Sequence, residues 1–187
     1  MNSPWETSTG GHIPRSEMQI HTLLNMVLRF LLIQSLMLWQ GGFLFYALVV
    51  VPIGSEILGK VDQGFVTRQV TFWMNTVGFI CLTLMLIETT LTQDPSRKRK
   101  YRRHALMLLN AALLVSLVQQ RSGLDRLLDE RSHTVNEPDR FYQAHEWYLT
   151  VVGIQWFLML AAAWLTLTAW RAADRTVKLT GPSPEQV

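Results

Sequence analysis

One cysteine, Cys81, stands in the 187 residues of this chain. That excludes an internal disulfide framework and a four-thiolate zinc site. Charge is missing from long stretches. Windows 30–55, 69–87, 105–120 and 147–170 contain no Asp, Glu, Lys or Arg, which crowds every charged residue into the other 102 positions. Also missing are a Gly-rich phosphate loop, a nucleophile–base arrangement, paired catalytic carboxylates and an internal repeat. The hydrophobic share, 49%, is ordinary for a soluble protein. Composition therefore does not place the chain in a membrane; the distribution does.

A helix rises ~1.5 Å per residue, so a ~30 Å hydrocarbon layer takes ~20 apolar residues. The pattern predicts four spans, at about 28–51, 69–91, 104–120 and 147–170. A soluble bundle would show a polar face on each helix; these windows are apolar all round. The second span tolerates Glu88 only at or near an interface. The fold expected is all-α, an integral membrane four-helix bundle formed by residues 22–170. Residues 1–21 are expected as a cytoplasmic segment and 171–187 as a disordered cytoplasmic tail. Residues 1–17 are polar and no Ala-x-Ala exit follows, so span one reads as an uncleaved anchor.

Orientation follows from the basic residues. Arg97, Lys98, Arg99, Lys100, Arg102 and Arg103 fill six of the seven positions 97–103. This connection is expected in the cytoplasm, giving N-in/C-in and a plasma-membrane location, with these six residues on anionic lipid headgroups. The basic run is explained by topology, so nucleic acid is not an expected partner. Segment 121–146 carries four Arg against six Asp and Glu and belongs outside. Two short amphipathic outer helices are expected. One follows Pro52, where Ile53, Ile57, Val61 and Phe65 recur every four residues. The other carries span three outward to about Arg131 on Leu124, Leu127 and Leu128.

Polar side chains in lipid need a partner or a task. Gln34 and Gln40 in span one, Asn110 in span three and Gln155 in span four are expected to bond across the bundle. Gly41-Gly42, Ala111-Ala112 and Ala161–Ala163 allow close helix approach. Of the five histidines only His21 and His104 could meet as a haem pair, at the cytoplasmic interface. On the outer side His133, His145 and Glu146 are weak metal candidates. Their spacing matches no zinc motif, and a solvated acidic loop accounts for them.

The segments Leu38-Trp39-Gln40-Gly41-Gly42-Phe43, Val49-Val50-Val51-Pro52 and Phe141-Tyr-Gln-Ala-His145 resemble a small four-span membrane family of unknown function. That family is related to a eukaryotic transmembrane protein linked to cisplatin resistance. More remotely the chain is similar to CopD-type copper-resistance membrane domains. The resemblance implies four helices and singles out Trp39, Gly42, Pro52, Phe141 and His145. Gln40 stands where the family more usually has an apolar residue.

The function expected is that of a non-enzymatic integral membrane protein, an accessory subunit or one concerned with transport or metal tolerance, with no cofactor. The alternative is a redox or metal-handling protein with a histidine-held haem, copper or zinc. Expected partners are the bilayer, anionic lipids at the cytoplasmic face, and a second copy or another membrane subunit.

Overall fold

The computed structural model describes residues 15–92, 94–129 and 134–180. The expectations for His133, for the polar residues before Arg15 and for the end of the tail lie outside these. The first helical rod runs α1 (Arg15–Leu36), a π-helical turn (Met37–Gly41), α2 (Gly42–Phe45), a second π-helical turn (Tyr46–Val50) and α3 (Val51–Leu58). It is followed by α4 (Lys60–Leu91), α5 (Arg97–Asp125), the paired strands β1 (Leu128–Asp129) and β2 (Thr134–Val135), and α6 (Pro138–Thr180). Among the described residues four helices are thus long and apolar enough to cross a membrane: Thr22–Leu58, Lys60–Leu91, Arg97–Asp125 and Pro138–Thr176.

The first rod, α4, α5 and α6 pack in sequence order as an antiparallel bundle. Contacts from Arg29 to Asp174 and from Trp156 to Gln40 then link α6 back to the first rod. Every rod exceeds the length a bilayer needs. The 37 residues of Thr22–Leu58 rise ~55 Å against a ~30 Å hydrocarbon core.

Pro52 does not stop the first rod, contrary to expectation. A proline inside a helix removes one N–H and crowds the carbonyl four residues back. Here the turn immediately before it, Tyr46–Val50, is widened to π geometry, and Pro52 falls in the opening turn of α3. The widening supplies the slack that the ring needs. The chain reverses instead at Gly59, whose φ of +86° is one that glycine adopts readily. Ile53 and Ile57 therefore prolong the first rod while Val61 and Phe65 open α4, and the two arms pack as a hairpin. No separate surface helix forms.

At the far end of α5 the outward extension is also shorter than expected. The helix ends at Asp125, and Leu128 pairs with Val135 in a two-residue hairpin. The Asn136 amide donates to the Leu127 carbonyl at 2.7 Å and closes it. α6 continues to Thr180, so residues 171–180, expected as tail, are helical.

The core is centred on Leu32, Trp39, Cys81, Met85, Met107, Leu114 and Met159. Trp39 is buried because Gly78 of α4 leaves room for its indole. A Cβ at Gly78 would stand 2.7 Å from Trp39 Cε2. In hydrocarbon, packing of this kind replaces the hydrophobic drive that lipid tails cancel. Gly78→Ala is expected to lower the melting temperature in detergent by overpacking, typically 1–3 kcal/mol, although Ala ordinarily favours helix over Gly. Thermal unfolding of Gly78→Ala with and without Trp39→Leu checks this: the smaller side chain should restore tolerance at position 78.

Candidate functional site

The polar groups inside the bundle fall into three layers. The first lies at the end that carries the basic connection. Glu88 on α4 and Arg103 on α5 are 1% and 0% exposed and form an ion pair through Oε2 and Nη2. The other Glu88 oxygen accepts from the Trp170 indole N–H of α6 and from the Thr92 hydroxyl, the latter at 2.5 Å. The Arg29 guanidinium of α1 stacks over the Trp170 ring, 5.1 Å from its centroid, and pairs with Asp174 at 3.0 Å. One carboxylate thereby ties all four rods. It also places the start of the first rod, the α4–α5 connection and the end of α6 on one side of the bundle.

The phase of the helices explains why these side chains meet. Residues 78, 81, 82, 85, 88 and 89 form the buried stripe of α4, and 103, 107, 110, 114 and 117 that of α5. Three- and four-residue steps keep each set on one face. Arg103 is thus the last residue of an inward stripe, whereas Arg97, Lys98, Lys100 and Arg102 are exposed. A place on headgroups does not fit Arg103. It points inward, with Nε and Nη1 buried and without a hydrogen-bond partner among the described residues.

Arg99 is also engaged. Its Nε and Nη2 donate to Asp94 at 2.8 and 2.6 Å. Burial alone would raise the Asp94 carboxyl. Hydrogen bonds from Arg99 and the Ser96 amide, with the charges of Arg99 and Arg103, outweigh it and hold the carboxyl below its ordinary 3.8. Ser96 caps α5 through a 3.4 Å bond from the Arg99 amide.

The middle layer holds the amides. Gln155 is 4% exposed and its Nε2 donates to the Asn110 backbone carbonyl at 3.3 Å. Asn110 bonds its own helix through the Leu106 carbonyl at 2.8 Å. Gln40 lies in the first π-helical turn, where its backbone carbonyl accepts from the Trp156 indole at 3.4 Å. The widened turn lets a backbone acceptor of the first rod reach α6, the use to which π turns are often put. Gly42, in the same rod, lies against the Met74 side chain, 3.6 Å from where its Cβ would be.

The third layer lies at the opposite end. Gln63, 3% exposed, donates to the Tyr46 hydroxyl at 3.2 Å, and Tyr46 donates to Thr67 at 2.9 Å. Gly54 makes room for this glutamine, since a Cβ there would meet Gln63 Oε1 at 1.9 Å. One turn further along α4, Arg68 Nε stands 3.1 Å from Asp125 Oδ1, and Arg121 Nη2 3.7 Å from Oδ2. Arg121 also stacks on Phe72.

Of the histidine candidates, His133 and the His21 side chain lie outside the described residues. His145 is half-buried and stacks on Phe141, with centroids 5.9 Å apart and planes at 11°. Both share the face of α6 that enters the bundle with Tyr148, Val152 and Gln155. No hydrogen bond joins His145 to the Val49–Pro52 end of span one among the described residues. Glu146 is exposed on the next face. His104 bonds the Lys100 carbonyl through Nδ1 at 2.8 Å. No three His, Cys, Asp or Glu side chains gather as a metal site among the described residues.

The sequence reading missed the Glu88–Arg103–Trp170 layer. The signal was available: stepping the α5 stripe back from Leu117 by fours and threes lands on Arg103. Removing one partner of a buried ion pair leaves the other uncompensated, about 3–5 kcal/mol, whereas replacing both with apolar groups is often neutral. Arg103→Met and Glu88→Met should each lower thermal stability in detergent markedly. The double variant should unfold closer to the wild type than either single one does.

No family model, no curated protein and no solved structure matches the chain.

Proposed function

We propose that the chain is a non-enzymatic four-span protein of the plasma membrane, N-in/C-in, that assembles with a second copy through its first span. The observation that carries this reading is the bareness of the first rod. In its most apolar 18-residue window 6% is buried, against 22%, 22% and 28% in the other three. Within that rod Gln34 is exposed, and its amide makes no hydrogen bond among the described residues. An amide facing hydrocarbon without a partner is costly. Seven residues on, Gly41 is exposed, and a Cβ there would meet nothing within 4 Å.

A second copy fits this face for a chemical reason. A carboxamide both donates and accepts, so two Gln34 side chains related by a two-fold axis complete each other. Gly41 lets the two backbones approach, as small residues do between membrane helices. Among the interior polar groups, Glu88, Gln63 and Gln155 bond from one rod to another, which supports a packing role for them over a catalytic one. The exposed Arg97, Lys98, Lys100 and Arg102 support the cytoplasmic assignment of their end. Kinship with the small four-span family named above belongs to the same proposal. It rests on Trp39, Gly42, Pro52, Phe141 and His145.

Two measurements test the reading. In native membranes, with Cys81 replaced by Ala, a cysteine at Leu38 should cross-link to dimer on mild oxidation. Leu38 is exposed on the same face. A cysteine at Leu108, exposed on α5, should not, and equal yields would reject the interface. Gln34→Leu should weaken the Leu38 cross-link.

For orientation, a single reporter cysteine at Ser96 should react with an impermeant maleimide only after permeabilisation, and one at Ser122 without it. The reverse pattern would invert the topology.

A further inference from the structure

On the outer flank of α5 and α6, at the end away from the basic connection, a cleft of about 540 Å³ opens where the two helices part. Leu124 and Leu127 wall one side, Ala144 and Trp147 the other, and Arg126 and Arg140 also line it. On α6 the lining residues 140, 144 and 147 step by four and three and form one stripe, while the facing wall is the last turn of α5 and the turn that follows it. Gly123 also lines the cleft, and a Cβ there would meet nothing within 4 Å.

The chemistry of the lining is amphiphilic. Arg126 is exposed and forms no ion pair among the described residues. Arg140 has only a loose partner: Glu137 stands 3.4 Å away, with both side chains well exposed at 71% and 63%. Such a pair contributes little and is readily shared with another anion. Trp147 is 65% exposed, an indole of the kind that sits at membrane–water interfaces.

We infer that this cleft binds an anionic phospholipid, its phosphodiester between the guanidinium groups of Arg126 and Arg140 and its acyl chain along Leu124, Ala144 and Trp147. Guanidinium suits the phosphate for its planar fork of donors. A free phosphate ion would leave the apolar walls uncovered. It would also compete with Glu137 for Arg140 with no apolar gain to offset the exchange. A lipid brings both halves of the recognition. The inference rests on insertion in a membrane, as proposed above.

The test uses the full chain in phosphatidylcholine nanodiscs doped with phosphatidylglycerol, with retained lipid counted by native mass spectrometry. The wild type is expected to retain phosphatidylglycerol over phosphatidylcholine. Gly123→Leu fills the groove while leaving every charge in place and should reduce retention about tenfold. Arg126→Gln with Arg140→Gln should abolish the preference for the anionic lipid while leaving phosphatidylcholine counts unchanged. Undiminished phosphatidylglycerol in Gly123→Leu would overturn the inference, because binding would then be diffuse surface attraction. Displacement by inorganic phosphate, beyond that caused by chloride at equal ionic strength, would overturn it in favour of a free anion. Release of the protein from membranes by alkaline carbonate would overturn the membrane reading and this inference with it. Retention under carbonate together with an unaffected Gly123→Leu would overturn the inference alone.

Discussion

A carboxylate taken out of water must be compensated where it lies, and in this protein that requirement falls on Glu88. Its environment removes the solvent that would screen it, so each donor that reaches it acts at full strength. Arg103 of α5 supplies the opposing charge, while Trp170 of α6 and Thr92 beyond the end of α4 supply neutral donors. Trp170 in turn offers its ring face to Arg29 of α1. Because Arg103 and Trp170 come from α5 and α6, satisfying one acid sets the relative height and rotation of three helices, and Arg29 on Trp170 extends the link to the first rod. The Asp94–Arg99 pair, with Asp94 also holding the Ser96 amide, then fixes the short connection between the two helices that carry the acid and its base.

Away from that end the bundle is registered by shape and by amides. Trp39 against Gly78 sets the contact between the first rod and α4, and Gly54 against Gln63 repeats the device one hairpin arm further on. In each case a large side chain is accommodated by a glycine on the facing helix. The two π-helical turns belong to the same rod that carries Trp39 and Pro52. One turns the Gln40 carbonyl towards Trp156, and the other precedes the proline. A regular α-helix through residues 37–50 would shift the phase of everything after it by a fraction of a turn. Tyr46 would then lose its place beside Thr67 and Gln63.

Much of the architecture was legible because long charge-free runs leave few choices. Charge-free windows of 16–26 residues imply spanning helices, and four such helices with short connections imply an antiparallel bundle. Helix ends were less legible. Leu124, Leu127 and Leu128 look like one helical stripe, yet the chain leaves the helix after Asp125 and Leu128 pairs with Val135. A three-residue apolar pattern cannot tell a last helical turn from a hairpin that covers the helix end. Pro52 reads as a break for the sound reason that it lacks an N–H, but the π turn that accommodates it leaves no trace in local composition. The partner of Glu88 was legible only through phase. Six adjacent basic residues look equivalent in sequence, and the buried stripe of α5 alone separates Arg103 from Arg102.

The rods are unequal in what they bury, and this follows from where the polar groups sit. α4, α5 and α6 each place at least one ionisable or amide side chain on their inward faces. Between helices in lipid, such groups add the interactions that apolar contact alone supplies weakly. The first rod contributes inwardly Leu32, an indole, a phenol, one backbone carbonyl and the Gln40 amide oxygen, which is buried without a hydrogen-bond partner among the described residues, and its Gln34 is exposed. The same logic that seats the Gln155 amide on the Asn110 backbone carbonyl inside the bundle applies to Gln34 outside it. An amide in hydrocarbon is stable when a second hydrogen-bonding group meets it. On the outer face of the first rod, the second copy proposed above would supply that group.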